Sequence, residues 1–261
     1  MVWIVAGLIA LAAAGVCGYL TRRAHGRIRS MEATETLTTA ELKELHRAAV
    51  EAAGEGVFRH RCEVVGVARP HRNGTLTSEL EKVSCVWHKH KITRKYEETE
   101  RNSDGEERTV TKHEVVAEHT TETAFFLEDG TGKTVIRPAG HDIDRAEKAL
   151  DRFRPHHGGG QLTIGPLTIG ARGSTIGFKE EEWVVRPGTR LYVHGEASDA
   201  SGGRLAVGAP AERGVFIMST RSEAELLRGE NNRLLGFGIA SGTAAVAAAV
   251  LLVIGAVNIT G

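Results

Sequence analysis

His88-x-His90 is the spacing that first suggests chemistry, because two imidazoles two residues apart share one face of an extended strand. Further histidines follow at His113, His119, His141 and the pair His156-His157. A zinc site needs Cys, His or carboxylate ligands at a recognised spacing, and the sequence places no such company beside any of them. They read as solvated surface side chains, and no metal ligand is assigned. Gly130-Thr131-Gly132-Lys133-Thr134 has the look of a phosphate-binding loop. Leu127, however, stands where the first glycine of that loop belongs, and strand signals lie on both sides where the loop needs a strand before and a helix after. Gly173-Ser174 lacks the second glycine and the helix of a nucleophile elbow. With no nucleophile beside a base, no catalytic residue, cofactor-binding residue or cofactor is expected.

Charge and cysteine usage narrow the classes further. Lys plus Arg and Asp plus Glu number 33 each, so no global field draws the chain to nucleic acid, and none is expected as a partner. Three cysteines are too few for a disulfide framework. Cys17 lies in an apolar run, and Cys62 and Cys85 read as reduced, buried small hydrophobes.

Two segments are built for lipid. Val2 to Leu20 is uncharged over 19 residues, and Leu234 to about Ile259 is uncharged throughout, long enough for a helix to cross a bilayer. The first run is followed rather than preceded by Arg22, Arg23, Arg27 and Arg29, which reads as an uncleaved anchor and not a signal peptide. Arg221, Arg228 and Arg233 precede the second run. By the positive-inside rule the domain between the spans is cytoplasmic and both termini are outside, giving an integral protein of the cell membrane. Ala14, Gly18, Gly238 and Gly242 would let the helices approach, with Gly238 and Gly242 offering a contact for helix association.

The elements that would position any site are mostly strands. Ala124 to Pro138 organises them as a hairpin: Phe125-Phe126-Leu127 enters, Asp129-Gly130-Thr131-Gly132 turns, and Thr134-Val135-Ile136 returns. Thr38 with Glu41 forms a capping box opening an amphipathic helix. Strands are read at 58–67 and 83–93, with a turn at Asn73-Gly74. Residues 94–119 read as a long charged hairpin turning at 102–105, a docking surface for an unknown protein partner. Ile143 to Phe153 has helical spacing, and residues 162–170 read as a glycine-rich loop or twisted ribbon. Later strands are read at 182–185, 191–197 and 215–218, with a turn at Gly202-Gly203. Trp87, Phe126, Trp183 and Tyr192 are expected in one core, and Ser222 with Glu225 caps a short helix before the second span.

The fold class is therefore mainly β (α+β): a β-barrel-like or OB-like soluble domain with short helices, flanked by two transmembrane helices. The boundaries are 1–21 for the first span, 22–54 for a linker and amphipathic helix, 55–220 for the β domain, 221–233 for a short helix and 234–260 for the second span.

Several stretches carry a resemblance: Thr39-Ala40-Glu41-Leu42, Cys62-Glu63-Val64-Val65-Gly66, Leu76-Thr77-Ser78-Glu79-Leu80, Cys85-Val86-Trp87, Phe126 to Gly132, and Glu182-Trp183 through Arg186-Pro187-Gly188 to Leu191-Tyr192-Val193-His194-Gly195-Glu196-Ala197. In this order the chain resembles the GIDE, or BAM (beside a membrane), domain family, as in the mitochondrial E3 ubiquitin ligase MULAN, and is similar to its bacterial or archaeal type. The ligases carry a RING after the second span, with about eight Cys and His ligands for two zinc ions. Only Asn258 to Gly261 follow that span in this sequence, so the resemblance does not carry the zinc-dependent step across. His88 also stands where the family usually has an aromatic residue. What the resemblance implies is a membrane-anchored binding or sensing platform, a scaffold in stress or defence signalling. Two alternatives stand beside it: a component of an E3 ubiquitin-ligase-like system whose RING a partner supplies, and an oligonucleotide or small-ligand binding module.

Overall fold

The computed structural model describes residues 2–101, 105–156, 160–171, 174–212 and 214–260. It divides into two compact units: the terminal helices, and the domain Thr36–Thr220.

In the first unit α1 (Val2–Glu32) packs against the last helix of the chain, which runs unbroken over Glu223–Thr260. Both are long and apolar enough to cross a membrane. The short helix expected at 221–233 and the second span are thus one element. Its start is capped as expected, Ser222 N donating to Glu225 Oε2 at 2.9 Å and Glu225 N to Ser222 Oγ at 3.4 Å. Small residues set the contact between the two helices. A Cβ on Gly255 would fall 2.6 Å from Ile4, one on Gly7 2.8 Å from Leu252, and Ser241 Oγ donates to the Ala14 carbonyl at 3.1 Å. Gly238 and Gly242 have nothing within 4 Å, so among the described residues they lie outside this contact.

The domain opens with α2 (Thr39–Ala53), capped by Thr38 and Glu41 as the sequence indicates. β1 (Arg59–Arg69) follows, then a short ribbon of β2 (Leu76–Thr77) and β3 (Ser84–Cys85), and the long pair β4 (Trp87–Arg101) and β5 (Glu107–Thr120). The hairpin at the centre of the sequence is β6 (Phe125–Asp129) and β7 (Gly132–Ile136). Next come β8 (Glu147–Pro155), the ribbon of β9 (Gly160–Ile164) and β10 (Leu167–Ala171), and β11 (Thr175–Val185). The chain then forms β12 (Arg190–Ser198), β13 (Ala206–Gly208) and β14 (Ile217–Ser219) before the closing helix, α3.

Five strands close a barrel in the order β1-β6-β7-β13-β12, with β12 returning to β1 over nine register pairs from Arg59↔Ser198 to Val67↔Arg190. Numbered along the chain the order is 1-2-3-5-4, and β7 and β13 pair in parallel, which is the connectivity of an OB-type barrel. Alternation explains its filling: Cys62, Val64 and Ala68 on β1, Phe125 and Leu127 on β6, Ile136 on β7, and Leu191, Val193 and Ala197 on β12 all point inward and are buried. Gly66 is required here, because a Cβ would sit 2.5 Å from the Glu128 carbonyl oxygen of the neighbouring strand. Asp129 ties this hairpin to α2, accepting from Thr39 N at 2.7 Å and Thr131 N at 2.7 Å.

A second sheet, β5-β4-β11-β8, is assembled from two insertions into the barrel: β4 and β5 leave between β1 and β6, and β8 and β11 leave between β7 and β12. The β9–β10 ribbon lays Ile164 and Ile169 against Ile92 of β4 and Phe178 of β11, a small second core to which Leu80 adds.

Two expectations are corrected. Residues Glu147–Pro155 form a strand, not part of a helix, because they pair with β11 from Val184↔Glu147 to Gly177↔Pro155, while Ile143 leaves that stretch to enter the barrel core. The four aromatics do not share one core. Phe125, not Phe126, points into the barrel. Phe126 faces outward, stacked on His71 at 4.8 Å with Lys133 Nζ 4.6 Å from its ring centroid. Trp87 is fully buried in the core and Trp183 packs partly buried against it, whereas Tyr192 is buried beside Glu63, to which its hydroxyl donates. Of the turn expected at 102–105, residues 102–104 lie outside the described residues.

Candidate functional site

The covered face of the second sheet buries a row of charged and titratable side chains, while a separate buried group, Glu63 with Tyr192 and His194, lies on barrel strands β1 and β12. His88, His90, Ile92 and Arg94 alternate on β4, and Phe178, Glu180, Glu182 and Val184 on β11, all buried. The register places Glu182 opposite His90, and His90 opposite His119 of β5, so one cross-strand row reads His119, His90, Glu182. One ring nitrogen of His88, one of His90 and one Glu182 oxygen all lie within 4.8 Å of one another. This overturns the solvated reading of His88 and His90, which are 7% and 2% exposed. The sequence signal was present in the i, i+2 spacing, but the carboxylate that completes the group is 92 residues beyond His90.

Burial is the main cause that depresses both histidine pKa values, and the nearby Glu79 and Glu182 oppose it only in part. Nδ1 of each ring makes no hydrogen bond, although His90 Nδ1 lies 3.3 Å from Glu79 Oε2. The Glu182 carboxylate is held by a tight loop: Ser78 Oγ (2.9 Å) and Glu81 N (2.8 Å) donate to Oε2, and Leu80 N (2.8 Å) donates to Oε1. Two residues along the same face, Glu180 takes a different partner set, Arg152 Nη2 at 2.5 Å and Arg154 Nε at 2.8 Å.

The other histidines named from sequence do not join this group. His119 is exposed, its ring centroid 6.0 Å from His88 and 5.9 Å from His90; His113 is exposed on the outer part of β5; and His141 packs edge-on to Phe216. His156 lies 6.0 Å from Phe178, and His157 is outside the described residues. Gly132–Ile136 is strand β7 with no helix behind it, so the phosphate-loop reading stays rejected. Gly173 lies outside the described residues.

The 94–119 hairpin is the second candidate. Beyond Tyr96, β4 has left β11 and pairs with β5 alone, from Glu97↔Thr111 to Arg101↔Glu107. This arm is exposed along Glu97 to Arg101, and Lys112 Nζ lies 2.6 Å from both Glu98 and Glu100, which raise its pKa.

A profile of the GIDE family, described as E3 Ubiquitin ligase, matches residues 95–254, more than half of the chain. The chain belongs to the GIDE family. No curated protein and no solved structure matches it. The match begins within β4 and takes in the charged arm, Glu182, the later barrel strands and most of α3, while His88 and His90 precede it.

The ligase description raises the question of RING zinc ligands, and the GIDE-family chain's cysteines do not fit that role. Cys62 lies in the barrel interior and Cys85 on β3. Burial pushes their thiols up to about 12 and about 11, against the thiolate a zinc ligand requires. An open cleft of about 470 Å³ lies on the opposite face of the second sheet, between Trp87, Trp183 and Lys89 on one side and Asp142 and Arg145 on the other.

Proposed function

We propose that this GIDE-family chain is a membrane-anchored binding platform whose charged β4–β5 arm docks a protein partner, with the domain on the cytoplasmic side. The supporting observation is the arm itself. A two-stranded polar ribbon is marginal alone, since it buries little apolar surface and leaves backbone donors and acceptors along its edges. Such edges, flanked by charges of both signs, suit pairing with an extended segment of another protein. The orientation rests on the arginines at 22–29 and 221–233, of which Arg27 and Arg233 share Glu230 at 3.1 and 3.0 Å.

A photo-activatable residue at Thr109, in the full-length chain in native membranes, is expected to cross-link a discrete protein. Reversing Glu98 and Glu100 to Lys should abolish that product without changing the melting temperature. Cross-linking that persists after reversal, or arises only from barrel positions, would count against the arm. A Cys introduced at Glu106 should resist membrane-impermeant reagent in intact cells, and its labelling would reverse the orientation. The family description favours a second reading, in which the platform belongs to a ubiquitin-ligase-like system and a partner supplies the RING. A RING protein among the cross-linked products would select it.

A further inference from the structure

Glu180 and Glu182 sit two residues apart on the same buried face of β11, each with 0% relative exposure, yet they are compensated differently. Glu180 is ion-paired to two arginines. Among the described residues Glu182 has no Lys or Arg partner and meets only His88, His90 and the polar groups of the 78–81 loop. A buried carboxylate offers about four lone-pair positions. Oε2 uses two on Ser78 and Glu81, and Oε1 uses one on Leu80. One acceptor position on Oε1 remains, near two buried imidazoles: His88 Nδ1 makes no hydrogen bond, and His90 Nδ1 has only Glu79 Oε2, at 3.3 Å. Burying a carboxylate and two imidazoles with unused electron pairs is costly, and a cation that takes a pair from each of the three reduces that cost.

We propose that His88, His90 and Glu182 form a binding site for a divalent transition-metal cation, with zinc(II) as the best match. Imidazole nitrogen excludes magnesium and calcium as preferred ions, and two imidazoles with one carboxylate form a known zinc set. Donors in a tetrahedral zinc site with bonds near 2.0–2.1 Å stand about 3.3 Å apart, so the three donor atoms, within 4.8 Å of one another, would have to draw together on binding. Three protein ligands leave a fourth position, toward which Glu79 and the exposed His119 are the next candidates. The Ser78, Leu80 and Glu81 bonds orient the carboxylate as outer partners do in metal sites. Metal would clip β4 to β11, and through Glu182 to the 78–81 loop, which joins the two insertions. The inference departs from the expectation of no metal ligand and does not rest on the docking role of the arm.

The test uses the full-length chain in detergent micelles, stripped with chelator and titrated with cobalt(II) and then zinc(II). One equivalent of cobalt per chain should bind with the visible bands of a four- or five-coordinate site. Zinc should displace it, and saturating zinc should raise the melting temperature by several degrees. His90→Phe and Glu182→Gln should lose the bands and the zinc-dependent rise, while His113→Asn keeps both. Zinc-edge X-ray absorption on the wild-type protein needs no variant and should show two imidazoles and oxygen, with no sulfur. Absence of saturable one-to-one binding, bands retained in His90→Phe, or a sulfur-containing shell would each overturn the site.

Discussion

The barrel interior is filled by Val64, Leu127, Ile136, Leu191 and Val193, whereas the covered face of the second sheet buries His88, His90, Arg94, Glu180 and Glu182 beside Ile92 and Phe178. Both regions hide one β face from water, but the barrel does so mainly with apolar side chains, Thr134 of β7 adding a buried hydroxyl, whereas the sheet buries several charged or titratable groups. Closure is the physical reason. A barrel has no edge, so its interior demands volume and little else. The second sheet brings together two insertions separated by the β6–β7 hairpin, and the 78–81 loop of the first holds the buried Glu182 carboxylate of the second by three hydrogen bonds. Stability is therefore expected to reside in the barrel, and specificity and ligand chemistry in the sheet.

The largest effect should follow from Phe125→Ala, about 3–5 kcal/mol by the usual cost of deleting a buried ring. Phe126→Ala, one residue on but outside the barrel, should cost about 1 kcal/mol or less, and equal losses in chemical denaturation would break the inside-outside assignment. Asp129→Ala should cost about 2 kcal/mol at neutral pH, because a charged acceptor for Thr39, Thr131 and Gly132 is lost. Burial raises the pKa of Asp129, but these hydrogen bonds outweigh it and hold the carboxyl far below its ordinary value. A depressed folded pKa gives stability that is full above the unfolded value of about 3.9 and is lost as pH falls below it. The melting temperature of the wild-type chain should accordingly drop between about pH 4 and pH 2, and Asp129→Asn should flatten that drop.

In the sheet, Glu180→Leu should cost about 1–2 kcal/mol, since Arg152 and Arg154, with side chains 48% and 37% exposed, can turn to water. A loss as large as that of Phe125→Ala would show that the sheet carries as much stability as the barrel. Smallest of all, Arg101→Ala on the arm should change unfolding free energy by about 0.5 kcal/mol or less. Tyr96, at the base of the arm, is half-buried with Arg94 over its ring at 4.5 Å and should cost more.

The sequence alone determined what depends on neighbours in the chain. Uncharged runs long enough for a bilayer, the Thr38–Glu41 and Ser222–Glu225 capping boxes, the β6–β7 hairpin with its Asp129-to-Gly132 turn, and the charged arm each follow from hydropathy, capping or turn chemistry within about twenty residues. The mainly β class was legible for the same reason, and the number of strands pointed to a barrel-like domain. Tertiary structure decided the rest. Alternation showed that Phe125 and Phe126 oppose each other but not which one faces inward, and that parity was fixed by the pairing of β6 with β1. Residues 143–153 carry helical spacing, yet 147–155 form a strand because they pair along β11. Barrel closure joins β1 to β12 across more than a hundred residues. The same long-range pairing of β4 with β11 brings His88 and His90 to Glu182, because the register between two strands far apart in the chain, and not any local motif, decides which side chains share a buried face.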